Sequence, residues 1–198
     1  MKYLVIVLAL AAMAACTTVP ESRPTDQSWN ERQQQLSRIA YWSMRGRLAV
    51  NNGVEAWNLN VSWRQRDGDY QIELHGPFGA GKVLLKGNPQ GVVLRNSDDQ
   101  TYYATEPETL LYAQTGVTMP VDGLRYWILG LPQPGADSKP QLDEHGRVKQ
   151  LHQAAWEVDF RHYVTVNGVE LPRKIFITKP GKDIDVRLVV DQWQLGVL

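Results

Sequence analysis

The segment Gly76-Pro77-Phe78-Gly79-Ala80-Gly81-Lys82 spaces its glycines and lysine much as a phosphate-binding loop does. In such a loop backbone N–H groups cradle phosphates, the lysine neutralises them, and a following Ser or Thr ligates magnesium. Here the following residue is Val83, and the segment runs into a strand-like stretch where a helix N-terminus would be required. Nucleotide binding fails on both counts. His75, His145, His152 and His162 show no H-E-x-x-H or other tight ligand spacing and read as solvated surface. There is no G-x-S-x-G nucleophile elbow. The carboxylate pairs Asp98-Asp99 and Asp143-Glu144 fall in turn-like stretches, where they solubilise loops. The residues therefore predict no enzyme, no metal and no cofactor; a hydrolase with a dispersed catalytic pair is the minority alternative.

The remaining reactive residue is Cys16, the single cysteine. It follows Met1-Lys2, an apolar run from Tyr3 to Ala15, and the small residues Ala14-Ala15. That run is shorter than the roughly 20 residues a membrane span needs, and its charged start, apolar middle and small-residue end are those of an export signal. A sole cysteine at the cleavage point reads as a bacterial lipobox, with Met13 where Leu is usual, and makes Cys16 the predicted lipidation site. Thr17 stands where an Asp would retain the lipoprotein at the inner membrane, so the expected destination is the outer membrane, lipid-anchored and facing the periplasm. The expected organisation is a signal peptide over 1–15, a lipidated N-terminus and flexible tether over 16–27 (with Pro20 and Pro24), and a single domain over 28–198.

The domain must supply everything else. The 198 residues are 43% hydrophobic and 21% charged, an ordinary globular composition. Basic and acidic residues number 21 each, which excludes electrostatic recognition of nucleic acid. One cysteine excludes a disulfide framework.

Ser28 and Glu31 have capping-box spacing ahead of Leu36 and Ile39, which predicts a helix over 28–40. Strict alternation follows: Trp57, Leu59, Val61 and Trp63; Tyr70, Ile72 and Leu74; Trp156, Val158 and Phe160; Ile184, Val186 and Leu188. Period two of this quality predicts half-buried strands. Asn52-Gly53, Asp67-Gly68, Asn88-Pro89, Asn167-Gly168 and Pro180-Gly181 punctuate them as turns. Thr105-x-x-Glu108 opens a short helix ending at Gly116, and a second runs from Asp122 to Leu129 before Gly130 and Pro132.

So large an apolar sheet face with so little helix to cover it either closes around an apolar hollow or packs as a sandwich filled by its tryptophans. The Gly76–Gly79 tip poses a parallel choice. Phe78 is either a core staple or an apolar probe for a membrane.

The lipobox, the strand entry Met44-Arg45-Gly46-Arg47, the Leu74-to-Gly79 tip and Leu124-Arg125-Tyr126-Trp127-Ile128-Leu129-Gly130-Leu131-Pro132 together resemble the LolB family of outer-membrane lipoprotein receptors, over Cys16 to about Trp193. The resemblance implies a mainly β fold, an unclosed eleven-stranded antiparallel half-barrel with a short helical lid over an apolar cavity. It implies a monomeric receptor that accepts triacylated lipoproteins from a LolA-type periplasmic carrier and inserts them among outer-membrane phospholipid without ATP. The membrane-insertion loop is then Gly76, Pro77, Phe78 and Gly79, with Phe78 where the family commonly has Leu. Strand parity assigns Trp57, Leu59, Val61, Trp63, Ile72, Leu74, Val83 and Leu85 to the acyl-chain cavity. Leu110, Leu111, Trp127 and Ile128 are assigned to its lid. Arg125 either steers the carrier or pairs with a sheet carboxylate. A purely structural outer-membrane lipoprotein is the remaining alternative.

Overall fold

A computed structural model describes residues 26–77 and 81–196. The export signal, Cys16, most of the tether, Phe78 and Gly79 lie outside the described residues. The first helix, α1, spans Asp26–Ser37 and leads into β1 (Tyr41–Asn51), β2 (Ala56–Arg66), β3 (Asp69–His75), β4 (Val83–Asn88), β5 (Gly91–Arg95) and β6 (Thr101–Ala104). Two short helices follow, α2 (Pro107–Thr115) and α3 (Val121–Trp127). The chain then completes β7 (Ser138–Leu142), β8 (Val148–Gln153), β9 (Trp156–Val166), β10 (Val169–Thr178) and β11 (Asp185–Leu195).

All eleven strands form one antiparallel sheet in the order β6-β5-β4-β3-β2-β1-β11-β10-β9-β8-β7. Every neighbour is a sequence-adjacent hairpin except the central β1–β11 pair, which joins the two halves of the chain. The edge strands β6 and β7 do not pair with each other, so the sheet stays open, as the half-barrel expectation requires. The connection between those two edges is α2 and α3. The helices must therefore cross from one edge of the curved sheet to the other, and crossing lays them over its apolar face.

Register aligns the inward residues into rows: Phe160, Ile175, Leu188, Leu48 and Leu59 face one another across successive strands, as do Leu94, Leu85, Ile72, Trp63 and Met44. Against them pack Leu36 of α1, Leu110 and Leu111 of α2, and Leu124, Trp127 and Ile128 around α3, all buried. Gly46 sits at the register shift between β1 and β11. A Cβ there would lie 2.2 Å from the Val189 carbonyl oxygen, so only glycine admits the approach.

Four of the five expected turns fall between strands, while Asn88 of the fifth closes β4 opposite Gly91; Asp67-Gly68 and Asn167-Gly168 are two-residue hairpin loops with Asp67 and Asn167 at φ 50. The helices start differently from the sequence expectation. Ser28 lies inside α1 because the helix begins at Asp26, and it ends at Ser37, short of residue 40. Glu106, not Thr105, occupies the N-cap of α2, since Pro107 fixes the first helical position, and Gly116 ends it in the left-handed conformation. Strands β5 to β8 carry no clean alternation and were not anticipated as elements.

Candidate functional site

The helices do not cover the whole face. Beyond the C-terminal end of α2 a cleft of about 430 Å³ remains open, floored by Trp57 and Leu59 of β2, Leu74 of β3 and Val83 of β4, with Val117 on the helical side. Register places Trp57 opposite Val50 and Leu59 opposite Leu48, in rows that are otherwise closed. Trp57 and Leu59 are only half-buried because α2 stops at Gly116, whose hypothetical Cβ would lie 3.4 Å from the Trp57 ring. The rim is polar: Lys82, Asn96, Ser97, Gln114 and Thr115. Gly76 and Gly81, either side of the β3–β4 tip, also line the cleft, so its mouth lies beside that tip.

The cavity residues assigned from the sequence divide between two environments. Trp57, Leu59, Leu74 and Val83 line the open cleft. Val61, Trp63, Ile72 and Leu85 from the sheet, and Leu110, Leu111, Trp127 and Ile128 from the helices, are buried in the shared core. The space between sheet and helices is filled beneath α2 and α3 and open past the end of α2. Of the predicted tip, Gly76 is half-buried and Pro77 exposed. The polar rim and Val117 escaped the sequence reading, because they come from loops and a helix end that no period marks.

A second cavity of about 370 Å³ opens beside α1, lined by Leu36, Ile39, Trp42, Leu129 and Leu131 among others. Arg125 is on its wall. It pairs with no carboxylate among the described residues, contrary to the ion-pair alternative. Its guanidinium instead lies 5.4 Å from the Tyr70 ring centroid and 5.9 Å from that of Tyr126, and Nη2 donates to the Gly68 carbonyl at 3.4 Å. Burial, with Asp122 second, raises the Tyr70 hydroxyl above its ordinary value against the pull of Arg125, so the ring stays neutral.

The charged groups serve packing. Arg147 bonds Asp143 and Glu170, Arg32 reaches Glu170, and Arg147 lies 4.7 Å from the Tyr163 ring centroid, which ties α1 to the β7–β8 turn and β10. Asp99 pairs with Arg95, and Asp143 caps its own turn by accepting from the His145 and Arg147 backbone N–H groups. No group of three His, Cys, Asp or Glu among the described residues could hold a metal ion. No described helix is long and apolar enough to cross a membrane.

Residues 40–193, nearly the whole sheet with both crossing helices, match the family model described as outer membrane lipoprotein LolB. The chain belongs to the LolB family. A relative named outer-membrane lipoprotein LolB in Nitrosococcus oceani is 40% identical over 97% of this chain and 96% of its own length. One of the same name in Alkalilimnicola ehrlichii is 40% identical over 98% of both. Among solved structures, a LolA superfamily protein of Nitrosomonas europaea superposes with a TM-score of 0.53 at 9% identity, covering 89% of this chain and 95% of that one. A putative outer membrane lipoprotein-sorting protein domain of Vibrio parahaemolyticus gives 0.51 at 7% over 87% of this chain and 94% of that one. At such identities the likeness is one of fold. The LolB family is one of outer-membrane lipoproteins, and the resemblance read from the lipobox, tip and R-x-W-I-L-G-L-P stretch is borne out.

Proposed function

We infer that this chain is an outer-membrane-anchored receptor, held by lipid on Cys16 and facing the periplasm. It accepts acylated lipoproteins from a LolA-type carrier into the apolar space between sheet and helices, and inserts them into the bilayer without ATP or an enzymatic step. The observation that carries this reading is the apolar cleft floored by Trp57, Leu59, Leu74 and Val83, with its mouth beside the Gly76–Gly81 tip.

Each methylene of an acyl chain gains about 0.8 kcal/mol on leaving water, so a long chain cannot be released into solvent between two proteins at a useful rate. It has to pass from one apolar cavity to another and then to lipid. Without a nucleotide, direction comes from affinity alone, with the carrier weakest, the receptor intermediate and the bilayer strongest. Admitting whole chains also requires the filled part of the interior to open. α2 is the element suited to move. It buries Pro107, Leu110 and Leu111, ends at a glycine, and is tied to α3 by the Asp122 backbone N–H donating to Glu108 at 2.8 Å, whereas the exit of α3 is bonded to β8 through Gln153.

The test is reconstituted transfer of a lipoprotein from its carrier to this protein and on to phospholipid vesicles without ATP. Wild type should complete both steps. Phe78→Glu should fold, take cargo from the carrier and stall before the membrane. A variant that unfolds, or inserts at the normal rate, removes the membrane role of the tip; failure of wild type to take cargo removes the receptor reading.

A further inference from the structure

The cavity beside α1 combines features that seldom occur together without a ligand. Its walls are mainly apolar, from Leu36, Ile39, Trp42, Leu129 and Leu131, with Gln33, Ser37, Gln65 and Asp67 as the polar part of the lining. On those walls sits a half-buried guanidinium that lacks a counter-ion among the described residues. Arg125 makes one hydrogen bond, of 3.4 Å, from Nη2, and its Nε is buried without an acceptor. Two of the polar neighbours, Gln65 and Ser37, are engaged elsewhere. The Gln65 amide accepts from Trp63 Nε1 and donates to the Asp67 carbonyl. Asp67, whose residue also lines the cavity, makes no ion pair with Arg125.

A charge withdrawn from water without a partner is costly, and proteins normally supply one. The Tyr70 and Tyr126 faces recover part of that cost but offer no oxygen acceptor. Tyr70 is itself fixed, because its ring lies so close over Gly87 that a Cβ there would stand 2.1 Å from it. The guanidinium is thus held at one place on a wall that is mainly apolar. Its fork suits an oxygen head, and the cavity suits the hydrocarbon behind it.

We propose that this cavity binds an acyl chain and that Arg125 holds the oxygen-bearing head of that chain, a carboxylate or an ester or amide carbonyl. The site lies apart from the cleft floored by Trp57 and Leu59, with which it shares no lining residue. The proposal deepens the receptor reading and rests on it only for the source of the chain, which is either a free fatty acid or a chain esterified to cargo.

The test uses the full mature chain carrying Cys16→Ala, so that the protein's own lipid does not compete. Parinaric acid, a fluorescent fatty acid excited by transfer from tryptophan, is displaced with palmitate, methyl palmitate or hexadecyltrimethylammonium. Palmitate or its ester should compete at least tenfold better than the cationic chain. Arg125→Met should shrink that preference to threefold or less, while Arg125→Lys retains part of it; Lys serves as the readable variant should Met fail to fold. Ala40→Phe, which fills the cavity, should abolish the Arg125-dependent preference and leave only the head-independent displacement that the Trp57–Leu59 cleft supplies. A preference for palmitate over its ester identifies a free acid as the ligand, and equal competition identifies an esterified chain. An unchanged preference in both Arg125 variants overturns the proposal. So does a preference for palmitate or its ester that survives Ala40→Phe but is lost in Leu59→Trp, a result that leaves the receptor reading standing. Normal Arg125-dependent binding with no uptake of cargo from the carrier would sink the receptor reading and leave this one.

Discussion

Trp127 donates its indole N–H to the side-chain oxygen of Gln153 at 2.9 Å, inside the core, where both residues are almost wholly buried. The same oxygen accepts the Gln133 backbone N–H, and the Gln153 amide donates to the carbonyls of Gln133 and Ala136. One glutamine on β8 thereby fixes the end of α3 and the loop that carries the chain to the far edge of the sheet. Gln153→Leu keeps the volume and leaves the indole and a backbone N–H unsatisfied. At about 1–3 kcal/mol for each such group, thermal or urea unfolding should show one of the larger single-residue losses in the protein.

Leu59 and Val61 alternate on one strand and face the same side, yet Leu59 borders the open cleft and Val61 is buried. Val61→Phe should therefore overpack the core at ~1–3 kcal/mol. Leu59→Phe should barely change the melting temperature while lowering uptake of acylated cargo. Equal destabilisation by the two would mean that the cleft is not available space.

Asp143 gives a pH prediction. Burial alone would raise its carboxyl, but the Arg147 guanidinium and the backbone N–H groups of Arg147 and His145 outweigh burial and hold it below its ordinary value. A depressed carboxylate contributes stability that is present above its unfolded pKa of about 3.9 and is lost as pH falls through the lower folded value. Asp143→Asn should be less stable than wild type at neutral pH, with the gap closing below about pH 4. Melting curves over pH 2–7 measure this; a gap independent of pH would refute the assignment.

Ala154 and Ala155 form the two-residue link between β8 and β9 with φ of 52 and 63, a left-handed conformation that costs non-glycine residues roughly 1–2 kcal/mol each. Ala154→Asn with Ala155→Gly should raise the melting temperature by several degrees, with cargo uptake unchanged.

That alanine pair also shows where the sequence stopped being readable. Asp67-Gly68 and Asn167-Gly168 announce their hairpins, because Asn, Asp and Gly are the residues that tolerate positive φ. Ala154-Ala155 makes the same kind of turn with no such signature, and β7 and β8 went unseen with it. The alternations at Trp57–Trp63 and Trp156–Phe160 gave strands and an inward face, since a two-residue period is a local property of the chain. The capping glycine Gly116 likewise marked where α2 stops, whereas α3 ends at Trp127, two residues short of the expected Leu129.

By itself, then, the sequence determined the β class, most hairpins and, through the strand entry, the tip and the Arg125–Pro132 stretch taken together with the Cys16 motif, the family. It could not say how far the crossing helices reach over the sheet. Trp57 and Trp63 share one strand face and one alternation, and nothing local distinguishes them. Only the tertiary structure decided what the end of α2 covers, leaving Trp57 on an open floor while Trp63 is buried. The same holds for Arg125, whose lack of a carboxylate partner depends on which strands and helices converge around it. Burial and pairing are sums over neighbours distant in sequence, and local pattern carries no record of them.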